Sequence, residues 1–233
     1  MDQRLRAPWE PWEAIPVVVA ALATAVAFSV IFAAVLGGPG GSALLLTAMA
    51  FQASLAGFTI LWVAVRHRGW LPALGLRSRR AARDVSVGAW TGAVVFGVAA
   101  FLLLPFLQFV WRAVTGHPPP PINQPILPLE PTPAQIVLGV GSVVIGAPFA
   151  EEIFFRGFLF GSLRGRLRFL PAAAISGAVF ALFHLQPLLI AVMVFVGIAL
   201  AYLYERRGSL AVPIAAHAIF NLIGYTLIVM REL

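Results

Sequence analysis

Cysteine is absent from this chain, and so is lysine: all 16 basic residues are arginine. Without cysteine there is no disulfide, no thiol nucleophile, no thiolate metal ligand and no site for cysteine lipidation. Without lysine a retinal-type Schiff base is impossible. Aspartate occurs only at Asp2 and Asp84, both expected outside apolar spans, so an intramembrane aspartyl dyad is excluded. No Gly-x-Ser-x-Gly turn occurs, which argues against a serine nucleophile of that kind. No His-Glu-x-x-His occurs either, so the usual soluble metalloprotease helix is missing. Charge itself is scarce, at 11% of 233 residues against about 25% in soluble domains.

What remains is apolar. The composition is 61% hydrophobic, and long uncharged runs predict an all-α, polytopic membrane helix bundle of about seven transmembrane helices. The first run, Ile15–Leu36, is too long for a signal-peptide core and is expected to be a retained span. Gly37-Gly38-Pro39-Gly40-Gly41 predicts a turn into a second span at 42–65. The third span, 85–111, is interrupted by Pro105, and the Pro-rich segment 116–133 is expected to be extended. The fourth span runs from Pro133 to about Leu163. Phe169–Tyr204 is 36 residues long; as one helix it would reach about 54 Å, nearly twice the hydrocarbon core. Gln186-Pro187 is expected to split it into spans five and six, and span seven covers 210–230. Gly88/Gly92 and Gly157/Gly161 are small-xxx-small pairs that predict close helix contact.

Arginine placement orients the bundle. With the N-terminus inside, 13 arginines (Arg4, Arg6 and the loops 66–83, 164–168 and 206–207) face the cytoplasm, while Arg112 and Arg231 lie outside. The net charge of +7 is thereby explained without nucleic acid. The expected location is the cell membrane, N-terminus inside and C-terminus outside. Residues 1–132 would hold three helices and the Pro-rich loop, and residues 133–233 the catalytic core, within one structural domain.

Inside this apolar chain, Glu151 and Glu152 are adjacent and Arg156 follows four residues after Glu152. Ionisable groups at bilayer depth are costly and point to function. On a helix Glu152 and Arg156 share a face and can pair, which leaves Glu151 free. His184, His217 and Asn221 are further polar residues in apolar surroundings, with His217 and Asn221 on one face of span seven. Depth can be counted from the cytoplasmic loops at about 1.5 Å per residue. Glu151 and His184 then lie roughly 20 Å deep, Asn221 roughly 18 Å and His217 roughly 12 Å, so three helices bring Glu, His, His and Asn to a similar level. Such a set can activate water with a carboxylate and an imidazole, and stabilise an oxyanion with an imidazole and an amide. It can equally serve as a binding cavity or, less readily, a proton relay, although transporters often carry internal repeats and none is found.

The residues Glu151-Glu152-Ile-Phe-Phe-Arg156, Phe180-Ala-Leu-Phe-His184 and His217-Ala-Ile-Phe-Asn221 resemble the three motifs of the CAAX-protease and bacteriocin-processing (CPBP, or Abi) family of intramembrane proteases. The resemblance spans about Pro133 to Asn221 and implies an all-helical core with the site in an intramembrane polar cavity. It implies water activation by Glu151 with His184, an oxyanion hole of His217 and Asn221, and support from Glu152, Arg156 and Phe180. The implied substrate is a hydrophobic or lipidated peptide or protein in the bilayer. The family also includes members proposed as immunity proteins, and it has been called metalloprotease by analogy. Zinc on Glu151, His184 and His217 is therefore the alternative to an expected metal-independent hydrolysis: the histidines lie on different helices, and Asn221 is a poor zinc ligand but a good oxyanion donor.

Overall fold

The computed structural model describes residues 7–78, 80–120, 131–184 and 186–232. Arg4, Arg6, Arg79 and most of the Pro-rich segment, on which part of the arginine count and the extended-loop expectation rest, lie outside the described residues. Among the described residues there is no strand. Six helices are long and apolar enough to cross a membrane, and a seventh, Phe169–Leu182, is shorter. They are α1 (Ala14–Leu36), α2 (Gly41–Arg66), α3 (Ala81–Thr115), α4 (Pro133–Arg164), α5 (Phe169–Leu182), α6 (Pro187–Arg207) and α7 (Ala211–Glu232).

The breaks fall where the local chemistry puts them. Gly37, with φ of 77°, ends α1 in the left-handed region that glycine enters without strain, and the chain doubles back into α2. Pro187 opens α6, where its missing N–H costs nothing, so the long apolar stretch divides at Gln186-Pro187 as expected. Two details differ from expectation. Pro105 does not interrupt span three: a π-helical turn at Ala99–Leu103 directly before it absorbs the proline ring, and the helix runs on to Thr115. The span also starts earlier, so Asp84 sits in its first turn rather than in a loop, accepting a hydrogen bond from Ser78 at 2.6 Å.

α4 and α6 are the central helices. Every residue from Glu152 to Arg164 is buried, and Phe154, Phe155, Phe158 and Phe160 fill the core beside Phe180 and Tyr204. Most of α1 and α3 faces outward with large apolar groups such as Val35, Trp90, Phe101 and Phe109 exposed, which is the surface of a helix meant for lipid. The N-terminal segment joins the core: Trp9 stacks on Phe158 and donates its indole N–H to the Phe158 carbonyl at 2.9 Å. Glu13, buried, accepts from Trp62 at 2.7 Å and faces His67 at 2.8 Å. Arg166 reaches the Trp9 carbonyl, and Arg164 pairs with Glu205 at 2.7 Å. These contacts gather the start of α1, the ends of α2, α4 and α6 and the start of α7 at one end of the bundle, the arginine-rich one.

The two glycine pairs behave differently. Gly88 and Gly92 on α3 let α7 approach so closely that a Cβ at Gly92 would lie 2.2 Å from the Ala216 carbonyl oxygen. Gly157 and Gly161 do not meet another helix. Gly157 makes room for the Leu74 carbonyl of the 3-10 turn Leu71–Leu74, and Gly161 faces Ala7. Gly177 and Gly197 form a third close approach, between α5 and α6, that the motif spacing did not reveal. Ala216 precedes His217, so the α3–α7 contact sets the position of a candidate site residue. Gly92→Ala is expected to lower thermal stability in detergent by about 1–3 kcal/mol through forced backbone separation. Gly97→Ala, with open space around it, should cost nothing; equal unfolding midpoints for the two variants would contradict the assigned packing.

Candidate active site

α4 carries two carboxylates whose surroundings differ. Glu152 is fully buried and Arg156 donates to its Oε1 at 2.7 Å. His217 Nδ1 donates to the same oxygen at 2.9 Å. Arg156 also donates to the Gly197 carbonyl at 3.3 Å. Glu151, one residue earlier, keeps 20% of its side-chain surface open, and its Oε2 has no hydrogen-bond partner. The division expected from spacing, one carboxylate held by arginine and one free, is the observed geometry. The chain from Glu152 to Phe160 is π-helical, a local widening that recurs at functional sites.

The second motif explains its own spacing. His184 lies in the turn after α5, and its Nδ1 donates to the Phe180 carbonyl at 2.9 Å, satisfying a carbonyl that the helix end leaves without an intrahelical donor. A carbonyl only accepts, so Nδ1 carries the proton and neutral His184 presents Nε2 as an acceptor. The Phe180 ring is buried between Arg156 (4.5 Å from Cζ to the ring centre), His184 (4.7 Å) and His217 (5.7 Å). It fixes three of the motif side chains by contact and screens the guanidinium from lipid.

The third motif is anchored by a carbonyl that α4 leaves open. Within the π-helical turn Val140–Gly146, the Ala147 N–H bonds the Ser142 carbonyl. The donor five residues after Val143 would be Pro148, which has no N–H. The Val143 carbonyl is thus free of the helix ladder, and Asn221 donates to it at 2.8 Å. One Asn221 N–H is used in this way and the second remains available.

Glu151, Phe180, His184, His217 and Asn221 all line one cavity of about 400 Å³, inside the range of small-molecule and peptide side-chain pockets. Its remaining walls are mostly apolar, from Leu44, Ala48, Met193, Val196 and Ile228. His217 Nε2 lies 3.9 Å from Glu151 Oε2, and His184 lines the same cavity as both. Sequence reasoning also missed Gln52 and Ser142, which line the same cavity and bond to each other at 3.3 Å. Gln52 was visible: it is an amide within an uncharged span, 14 residues before Arg66, or about 21 Å on the same depth scale. Among the described residues no group of three or more His, Asp or Glu side chains is placed to hold a metal ion. The set Glu151, His184 and His217 does not fit zinc as it stands.

The fold and site define an intramembrane helix bundle with a Glu/His/His/Asn cavity. Over residues 133–223 the chain matches the family described as type II CAAX prenyl endopeptidase Rce1-like, so the resemblance carried by the three motifs is borne out on that segment. The chain is also similar to the protein named "Putative membrane peptidase YdiL" of Bacillus subtilis (strain 168), 31% identical over 105 residues, 45% of this chain. It spans about 40% of that relative's length. No solved structure matches the chain.

Arg156 is the group whose loss should be felt most in folding. Arg156→Ala leaves Glu152 buried without its counter-charge, and a broken buried pair costs about 3–5 kcal/mol. A large drop in unfolding temperature of the detergent-purified protein is expected, and an unchanged midpoint would refute the structural role assigned to the pair.

Proposed function

We propose that this chain is an intramembrane endopeptidase that hydrolyses a peptide bond in a hydrophobic or lipidated substrate held in the bilayer. The observation that carries it is Glu151, which lines the cavity with an Oε2 that accepts no hydrogen bond, beside a Glu152 whose Oε1 is held by both Arg156 and His217. The match to prenyl endopeptidases and the similarity to a protein named as a membrane peptidase support the same reading.

In this mechanism Glu151 takes a proton from water as oxygen attacks the scissile carbonyl carbon. His184, whose Nδ1–H is committed to the Phe180 carbonyl, uses Nε2 to accept the other hydrogen of that water and orient it. The oxygen that becomes negative receives the free N–H of Asn221 and the Nε2–H of His217. His217 donates from Nε2 only as an imidazolium, since Nδ1 already bonds Glu152. In that state Glu151, Glu152, Arg156 and His217 sum to zero charge, which suits a site inside a bilayer. Collapse of the tetrahedral intermediate breaks the C–N bond, and Glu151 returns its proton to the leaving amine. The apolar walls receive flanking side chains.

The test is cleavage of a hydrophobic membrane peptide by purified protein. Glu151→Gln keeps the shape and removes the base, so a fall in rate of at least about a hundredfold is expected with the folded state intact. The same assay after exhaustive chelation should lose nothing. Activity lost on chelation and restored by one equivalent of zinc would replace this mechanism with a metal-dependent one. A Glu151→Gln variant as active as the native protein would leave the cavity as a binding site only.

The orientation proposed is N-terminus inside the cell, with the arginine-rich end in the cytoplasm. Reporter fusions should place His117 and Arg77 on opposite sides of the cell membrane; the same side for both would overturn it.

A further inference from the structure

A second concave site lies at the arginine-rich end, away from the catalytic cavity. Its volume is about 760 Å³. Arg77, Arg80, Arg206 and Arg207 line it together with Ser78, Ser209 and one carboxylate, Asp84. The carboxylate does not neutralise the group: it is buried, accepts from Ser78 and lies 4.0 Å from Arg207. The other nearby acid, Glu205, is taken by Arg164. Arg77, Arg80 and Arg206 thus stand exposed around the pocket, and the lining sums to three positive charges.

The walls are built rather than incidental. The Leu210 N–H bonds the Gly75 carbonyl at 2.8 Å, and Tyr204 donates its hydroxyl to the Ala73 carbonyl at 3.2 Å. Gly75 has φ of 74°, and a Cβ there would lie 2.7 Å from the Tyr204 ring. The segment carrying Arg77 is thereby pinned to the end of α6, which carries Arg206 and Arg207. The pocket also marks a boundary: α6 ends its apolar run at Arg207, and α3 begins its own at Ala81. A site at the ends of two membrane spans sits at the depth of lipid phosphates.

We propose that this pocket binds a phosphate ester anion, held by the guanidinium groups of Arg77, Arg80 and Arg206 with the hydroxyl of Ser209. Guanidinium forks match the several acceptor oxygens of a phosphate, and one hydroxyl donor extends the set. The same chemistry is presented by an anionic phospholipid headgroup at the membrane surface and by a soluble phosphate.

The experiment uses the full chain in neutral detergent and follows the unfolding temperature and the lipid retained per chain by mass spectrometry. Phosphatidylglycerol is compared with phosphatidylcholine, and inorganic phosphate with chloride at equal ionic strength. Phosphatidylglycerol should stabilise and be retained where phosphatidylcholine is not. Its apparent affinity should fall roughly fivefold for each of Arg77→Gln, Arg80→Gln and Arg206→Gln. Arg112→Gln, exposed at the far end of α3, should leave it unchanged. Stabilisation by inorganic phosphate alone, lost in the same variants, assigns the site to a soluble ester. Single substitutions of exposed side chains leave the fold testable, and lipid retention gives a second readout. Equal retention of the two lipids with no effect of phosphate overturns the proposal, and so does an affinity that Arg112→Gln lowers as much as Arg206→Gln.

Discussion

The interaction on which the rest depends is the Glu152–Arg156 pair. Two charges inside an apolar bundle are tolerable only when they meet each other in good geometry. Glu152 gives Oε1 to Arg156 and His217 together, and Arg156 takes the Gly197 carbonyl. α4, α6 and α7 are thus joined through one carboxylate and one guanidinium. Phe180 of α5 closes the arrangement by laying its ring against the cation. Four helices are registered at this point, and the cavity is the space they leave beside it.

Irregular helix geometry does the rest of the positioning. A regular α-helix already engages its own carbonyls, so a neighbour's donor must share them. The π-helical turn before Pro148 frees the Val143 carbonyl for Asn221, and the end of α5 frees the Phe180 carbonyl for His184. In both cases a backbone oxygen that the helix leaves open holds a polar side chain of the site. These side chains are therefore fixed by backbone, which is the most rigid support a membrane helix offers.

Much of this was legible in the chain. Uncharged runs and a few Gly and Pro punctuation points located the helices, because a bilayer imposes a length and forbids unpaired charge. The i,i+4 spacing of Glu152 and Arg156 foretold their pairing. The π-helical turns were not legible: nothing in Val140–Gly146 or Ala99–Leu103 distinguishes them from regular helix except the proline that follows each. That is why Pro105 was expected to break a helix it only perturbs. The pairing of histidines with carboxylates was hidden for another reason. Spacing gives depth and face, but rotation of α7 about its axis is set by Gly88 and Gly92 against Ala216, a contact between distant segments. Gln52 was readable and overlooked, since an uncharged amide draws less notice than a charge although it too is costly in an apolar span.

The adjacency of the two glutamates makes their difference instructive. They share a helix, a charge type and nearly the same depth, yet Glu152 is held at Oε1 by Arg156 and His217, while Glu151 lines the cavity with His217 no nearer than 3.9 Å. The rotation between consecutive residues turns Glu152 toward α6 and α7 and Glu151 toward the cavity. A carboxylate held by an arginine and a histidine has little reason to take a proton from water, because doing so would weaken charge-assisted contacts worth about 1.5–3 kcal/mol each. A carboxylate held nearby without such contacts loses nothing by accepting one. Glu152 also fixes His217, whose other ring nitrogen then lies 3.9 Å from Glu151 Oε2. Structural and chemical roles are separated by a single step along the backbone. The cost of burying the first charge is what allows the second to be held facing the cavity at the same level of the membrane.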